Sequence, residues 1–338
     1  MMANYTLLDA RYDGNVVRLF YLSDGGKIEE WNEGTEYHPY FYALRELEAL
    51  EAAKNLGCRS ALERRRELFS DRELDYYKIS GREMALNEVK QAFTRVWEDD
   101  VHTVEKYAFD RGMRFGVTYS NLGGSFHPME VNMEAFEDAF RELVGYDPVK
   151  YALAKKFFNI IEQPLPIISR EVAKRYRYDV DRMLQALYLS RITNSPITFR
   201  NAPPSNFIKA LYYLYLKSEG YVIPTPEEFA RGESERGVYG KAALVLSPEK
   251  GVFLNTYALD YESLYPSCID VYNLSHETVN CEHGECQNNT VPEEEHHVCT
   301  IRRGKYSTLI GALKDLRIRY YKKKGKEGDQ NARIISEV

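Results

Sequence analysis

Leu259-Asp260-Tyr261-Glu262-Ser263-Leu264-Tyr265-Pro266-Ser267 is the stretch whose reading decides the fold. An apolar tract runs into a carboxylate and then into a helix start. The alternation over 238–262 predicts two strands around the turn Ser247-Pro248-Glu249-Lys250-Gly251, the second ending at Asp260. A strand-end aspartate can hold a divalent cation through its oxygens. The free N–H groups of the helix start just after it can receive phosphate oxygens. Together they suit nucleotide chemistry. An isolated D-x-x-S is far more often a plain helix cap, so its neighbours must carry the argument.

Downstream, residues 305–324 predict an amphipathic helix. Leu309, Leu313, Leu316 and Tyr320 share one face, with Lys314 and Arg317 off it. Charge is segregated around it. The 338-residue chain carries a net charge of −6, yet Arg302–Arg333 holds eleven Lys and Arg against three acidic residues. A local basic stretch on an acidic protein can still meet phosphates. The acidic counterpart is 276–299, with six Glu and no Lys or Arg.

Upstream, residues 1–42 read as a β-meander with turns at Asp13-Gly14-Asn15 and Asp24-Gly25-Gly26. Residues 43–69, rich in Ala, Leu, Glu and Arg, predict a helix. Asp71–Ile79 predicts a return strand, and Asn87–Asp110 holds another helix. Residues 125–180 are helical in pattern, broken at Gln163-Pro164-Leu165-Pro166, and a further helix covers about 205–219. An apolar share of 44% supports sizeable cores. No apolar run reaches the roughly 18 residues of a membrane span, and the start lacks a signal-peptide pattern. The chain therefore reads as cytoplasmic, with no membrane partner. Five cysteines do not make a disulfide scaffold.

The string D-x-x-S-L-Y-P-S resembles motif A of the B-family DNA polymerases, the archaeal ones above all. Glu249-Lys250-Gly251-Val252-Phe253 resembles the stretch leading into it, and Arg200-Asn201-Ala202-Pro203-Pro204-Ser205-Asn206 the segment opening the palm. Gly304–Lys324 resembles the first fingers helix. His38-Pro39-Tyr40-Phe41-Tyr42-Ala43-Leu44 and Tyr107-Ala108-Phe109-Asp110-Arg111-Gly112 resemble the family's N-terminal domain. The resemblance covers 1–120 and 185–338. It implies a multidomain α+β chain: an N-terminal template-binding-like domain over 1–122, a helical remnant over 123–184, a partial palm over 185–300, and the first fingers helix over 301–338.

The resemblance also implies roles. Asp260 matches a catalytic carboxylate that binds both Mg²⁺ ions. Tyr265 matches the steric gate against a 2′-hydroxyl. Leu264 and Tyr265 would offer backbone N–H groups to the triphosphate, and Arg317 matches the fingers arginine that grips it, a task suited to a planar guanidinium. DNA primer-template and dNTP are the implied partners.

Two family features are missing from the sequence. Two-metal transfer needs carboxylates that hold ions about 3.5–4 Å apart, and the family's later Asp-Thr-Asp hairpin does not occur here. Residues 123–184 stand where the family carries its 3′–5′ exonuclease, and 121–185 contain no Asp-x-Glu, so proofreading is not expected. The expectation is the N-terminal subunit of a split polymerase, inactive alone and completed by a second polymerase subunit. The alternative is a catalytically inactive, polymerase-derived DNA-binding or scaffold protein.

Cys281-Glu282-His283-Gly284-Glu285-Cys286 and His296-His297-Val298-Cys299 could build a tetrahedral zinc site from Cys281, Cys286, Cys299 and one histidine such as His283. A disulfide or free thiols are the rival readings. Archaeal relatives also carry an N-terminal pocket for template uracil. Pro39, Tyr40 and Lys106 match part of it, while Met84–Asn87 departs from its usual wall.

Overall fold

The computed structural model describes residues 4–32, 34, 36–122, 125–142, 147–234, 247, 250–290 and 296–338. Its strands are β1 (Asn4–Tyr12), β2 (Val17–Ser23), β3 (Ile28–Asn32), β4 (Tyr40–Ala43), β5 (Arg59–Arg66), β6 (Glu73–Ser80), β7 (Val96–Trp97), β8 (Thr118–Leu122) and β9 (Ser125–Pro128). They form two antiparallel sheets, ordered β3-β2-β1-β8-β9 and β5-β6-β4-β7. The meander is borne out for β1–β3. Asp13 shapes its first turn by accepting from the Val16 N–H at 3.1 Å, and Gly26, with φ of 71°, closes the second.

The helices are α1 (Leu47–Asn55), α2 (Glu83–Val89), α3 (Thr103–Asp110), α4 (Glu134–Phe140), α5 (Pro148–Ile161), α6 (Arg170–Arg175), α7 (Val180–Thr193), α8 (Pro204–Ser218), α9 (Pro226–Ser234), α10 (Leu264–Val271), α11 (Lys305–Leu316), α12 (Lys322–Lys326) and α13 (Gln330–Glu337). Residues 317–321 join α11 to α12 as a π-helical turn. None is long and apolar enough to cross a membrane.

One expectation is corrected. The helix expected over 43–69 stops at Asn55, and Arg59–Arg66 is a strand paired with β6 along its whole length. Ala, Leu, Glu and Arg favour a helix, but eight residues of ladder outweigh that preference. The helix expected within 87–110 is α3, preceded there by the end of α2 and the short β7. The β8–β9 hairpin also pairs Leu122 with Ser125, so strand pairing runs across residue 122.

The largest core joins the middle helices to the C-terminal ones. Phe136 and Phe158 pack with Leu211, Leu216, Leu309 and Leu316 in one buried cluster. Arg191, fully buried, ties this body to the first sheet. Its guanidinium donates to the carbonyls of Gly116, Ile161, Gln163 and Pro164 at 2.7–2.8 Å. The Pro break after α5 thus presents carbonyls freed from helical bonding to one cation that satisfies them.

Candidate functional site

Helix α10 begins where the sequence places it. Ser263 precedes it with φ of 54°. Leu264 and Tyr265 fill the first two positions and Pro266 the third. The first N–H groups of a helix have no partner inside it, and Pro266 has none to leave unpaired. Leu264 and Tyr265 are thus the two backbone donors at this end. The Tyr265 ring is 75% exposed.

Asp260 stands just upstream. One carboxylate oxygen accepts from the Tyr261 N–H at 2.8 Å, and the side chain is otherwise open. The strand expected to lead into it is not formed. Residues 250–262 are irregular, and Val252, Tyr257 and Leu259 are more than 90% exposed. A strand exists through its neighbours, and among the described residues none pairs with this tract. Residues 238–246, 248 and 249 lie outside the described residues.

Arg317 reaches this same corner from the far end of α11. Its Nη1 donates to Ser263 Oγ at 3.1 Å and its Nε to the Ser336 carbonyl at 2.8 Å. Lys322 pairs with Glu262 and holds that carboxyl below its usual range. Two cations from one helical stretch therefore flank the turn between Asp260 and α10. Mg²⁺ favours carboxylate oxygens, and Asp260 offers one exposed carboxylate for it.

The inner side of α10 holds residues that the sequence reading missed. The Asp270 carboxylate accepts from Lys314 Nζ at 2.7 Å, Lys150 Nζ at 3.0 Å and the Arg303 guanidinium. Lys150 also bridges to Asp315 at 3.1 Å. Burial alone would raise the Asp270 pKa; Lys314 and Lys150 instead bring it below the usual value. A Cβ on Gly311 would lie 2.5 Å from this carboxylate, so only glycine lets α11 come this close. Lys314 does lie off the apolar face of α11, as its spacing predicts, but it faces a buried carboxylate. In sequence such residues look like any solvated helix face.

Cys281, His283, Cys286 and Cys299 converge in the loop between α10 and α11. Their ligand atoms all lie within 4.8 Å of one another. Cys286 Sγ and Cys299 Sγ are 3.9 Å apart, and Cys299 Sγ is 3.4 Å from His283 Nδ1. Zn–S bonds of about 2.3 Å in a tetrahedron set sulfurs about 3.8 Å apart, whereas a disulfide needs about 2.05 Å. All five cysteines are free. The Thr300 hydroxyl and N–H approach Cys286 Sγ at 3.5 and 3.3 Å and lower its thiol pKa to about 6. The four side chains could hold a metal ion.

Pro39, Tyr40 and Lys106 are all buried. Lys106 Nζ donates to the Tyr40 carbonyl at 2.6 Å, and the Tyr40 hydroxyl donates to Asp110 at 3.2 Å.

Residues 205–319 match the family model of DNA polymerase family B. DNA polymerase 1 of Aeropyrum pernix is 37% identical over 218 residues, 57% of this chain and 22% of that protein. DNA polymerase 1 of Sulfurisphaera ohwakuensis is 37% identical over 132 residues, 36% of this chain and 15% of that protein. The chain thus spans about a fifth or less of the length of these curated relatives. Among solved structures, the family B DNA polymerase from the hyperthermophilic archaeon Pyrobaculum calidifontis shares the fold. Its TM-score is 0.62 at 16% identity, covering 99% of this chain and 66% of that one.

Proposed function

Since the chain carries a family B DNA polymerase domain of archaeal type, we propose that it supplies part of the active site for template-directed DNA synthesis. Asp260 holds Mg²⁺, Tyr265 selects the deoxy sugar, and the Leu264 and Tyr265 N–H groups with Arg317 grip the dNTP triphosphate. The observation that carries this reading is the 3.1 Å contact of Arg317 with Ser263. It sets a guanidinium, two backbone donors and a bare carboxylate around one helix end. Those are the groups a metal-bound triphosphate requires. Bound Mg²⁺ would offset charge developing on the phosphates.

One carboxylate can touch both ions of a two-metal site but does not complete their coordination, and the Asp-Thr-Asp hairpin does not occur in residues 1–338. In the split-polymerase reading, the remaining carboxylates belong to a second subunit. No proofreading activity is assigned to residues 123–184. Primer extension by the assembled polymerase tests the proposal. Asp260→Asn is expected to lower kcat by about 10²–10³-fold, the size of loss seen when a group stabilising transition-state charge is removed. Unchanged extension, with DNA binding retained, would establish the alternative of a non-catalytic DNA-binding or scaffold protein.

The cation proposed for Cys281, His283, Cys286 and Cys299 is Zn²⁺, in a structural role. Three thiolates and an imidazole suit it. One equivalent of zinc per purified chain is expected by elemental analysis, and Cys286→Ser is expected to lose it.

A further inference from the structure

We infer that Asn273 links the Cys/His cluster to both helices of the candidate active site, so that a metal ion held there fixes α10 against α11. The inference rests on the zinc reading above and extends it from loop to site.

Asn273 lies just past the end of α10, in the left-handed region with φ of 56°. Asparagine tolerates that conformation better than most residues. Its side-chain amide then faces the returning loop. Nδ2 donates to the carbonyls of Cys299 at 3.0 Å and Arg302 at 2.9 Å. Oδ1 accepts from the Gly304 N–H at 2.7 Å and the Ser307 hydroxyl at 3.0 Å. One side chain therefore joins the C-terminal end of α10, the backbone of a cluster cysteine, and the first turn of α11.

The surroundings make the link stiff. The Cys299 N–H donates to the Thr278 carbonyl at 2.9 Å, and Val279 bridges Val298. Thr278 Oγ1 accepts from the Ser275 N–H at 2.9 Å. A Cβ on Gly304 would lie 2.4 Å from Ser275 Cβ, so the start of α11 is pressed against this turn. Arg303, between the cluster and α11, reaches Asp270 on the inner side of α10. A metal that draws Cys281, His283, Cys286 and Cys299 together fixes the position of the Cys299 carbonyl. Asn273 carries that position into both helices. The far end of α11 carries Arg317, so the guanidinium over Ser263 is set from both ends of its helix.

Hydrogen exchange read by mass spectrometry tests this on the whole chain. Peptides covering 304–308 are compared with zinc bound, after chelation, and in zinc-loaded Asn273→Gly. Glycine keeps the left-handed backbone and removes only the amide. Chelation and Asn273→Gly are each expected to speed exchange at 304–308 about tenfold, equivalent to one lost hydrogen bond. Peptides from β1 and β2 are expected to keep their rates. Asn273→Gly should still bind one equivalent of zinc, which separates the link from the cluster. Faster exchange confined to 281–299 on chelation would overturn the inference. So would unchanged rates at 304–308 in Asn273→Gly. A chain that cannot be loaded with zinc overturns the metal's part and the zinc reading together, while the Asn273→Gly arm still reports on the link between helices.

Discussion

Asp260 stands just ahead of α10 and Asp270 lies in its last turn, and the two meet opposite surroundings. The Asp270 side chain is 5% exposed and answered by Lys150, Lys314 and Arg303. Asp260 is exposed, and among the described residues the Tyr261 N–H is its hydrogen-bond partner. A carboxylate already surrounded by cations can position a helix but has little left for a ligand. A carboxylate left bare contributes nothing to packing and remains open to a metal. One aspartate thus serves the packing of the helix, and the other is the one proposed to bind a metal. Lys150, which lies outside the family match, helps brace the helix from beneath.

The largest expected effect falls on the braced side. Asp270→Ala leaves three cations facing one another beneath α10 with Asp315 as the remaining carboxylate. Breaking a buried ion network from one side costs about 3–5 kcal/mol, and urea denaturation should register a loss of that size. Adding Lys150→Met and Lys314→Met should recover part of it. A loss below about 1 kcal/mol would break the contrast between the two aspartates.

Lys106 sharpens the contrast, because among the described residues its buried ammonium meets the Tyr40 carbonyl rather than a carboxylate. Burial pushes Lys150 down too, but Asp315 and Asp270 more than reverse it and its pKa rises. For Lys106, burial dominates over the more distant Glu98, and the pKa falls to about 8. Between pH 8 and 10.5 the unfolded chain holds a proton at this site that the folded chain has lost. Stability contributed by Lys106 therefore rises with pH across that window, by at most about 3 kcal/mol. Thermal melts of wild type and Lys106→Met should show the wild type gaining on the variant over this range. Parallel pH profiles would mean that the ammonium is effectively solvated.

How much of this was legible in the sequence depends on whether a residue's role was local. The turns at Asp13 and Asp24, the start of α10 and the apolar face of α11 depend on near neighbours, and all were readable. The strand at Arg59–Arg66 was not. It is an edge strand with both faces largely exposed, so it shows no alternation, and its arginines and glutamate favour a helix. The Asp270 network was also hidden, because it joins α5, α10 and α11 across long stretches of chain. For the Cys/His cluster the residue types were legible, and the choice of His283 over its neighbours agrees with the geometry. That Asn273 joins the cluster to the helices could not be read, since its partners follow it by 26 to 34 residues.

The smallest expected effect tests the bare side. Leu259 is 96% exposed, and its neighbours Tyr257 and Tyr261 are 91% and 77% exposed. Leu259→Thr keeps a residue suited to a strand while removing apolar surface. In the chain alone it should change stability by no more than about 0.5 kcal/mol, because an exposed side chain has no packing to lose. In a completed polymerase the same tract would gain strand neighbours and bury alternate residues. There the substitution should cost about 1–3 kcal/mol of assembly and weaken extension in proportion. An equal and small effect in both settings would mean that nothing covers the tract, and that Asp260 is bare because it is idle rather than because it awaits a metal.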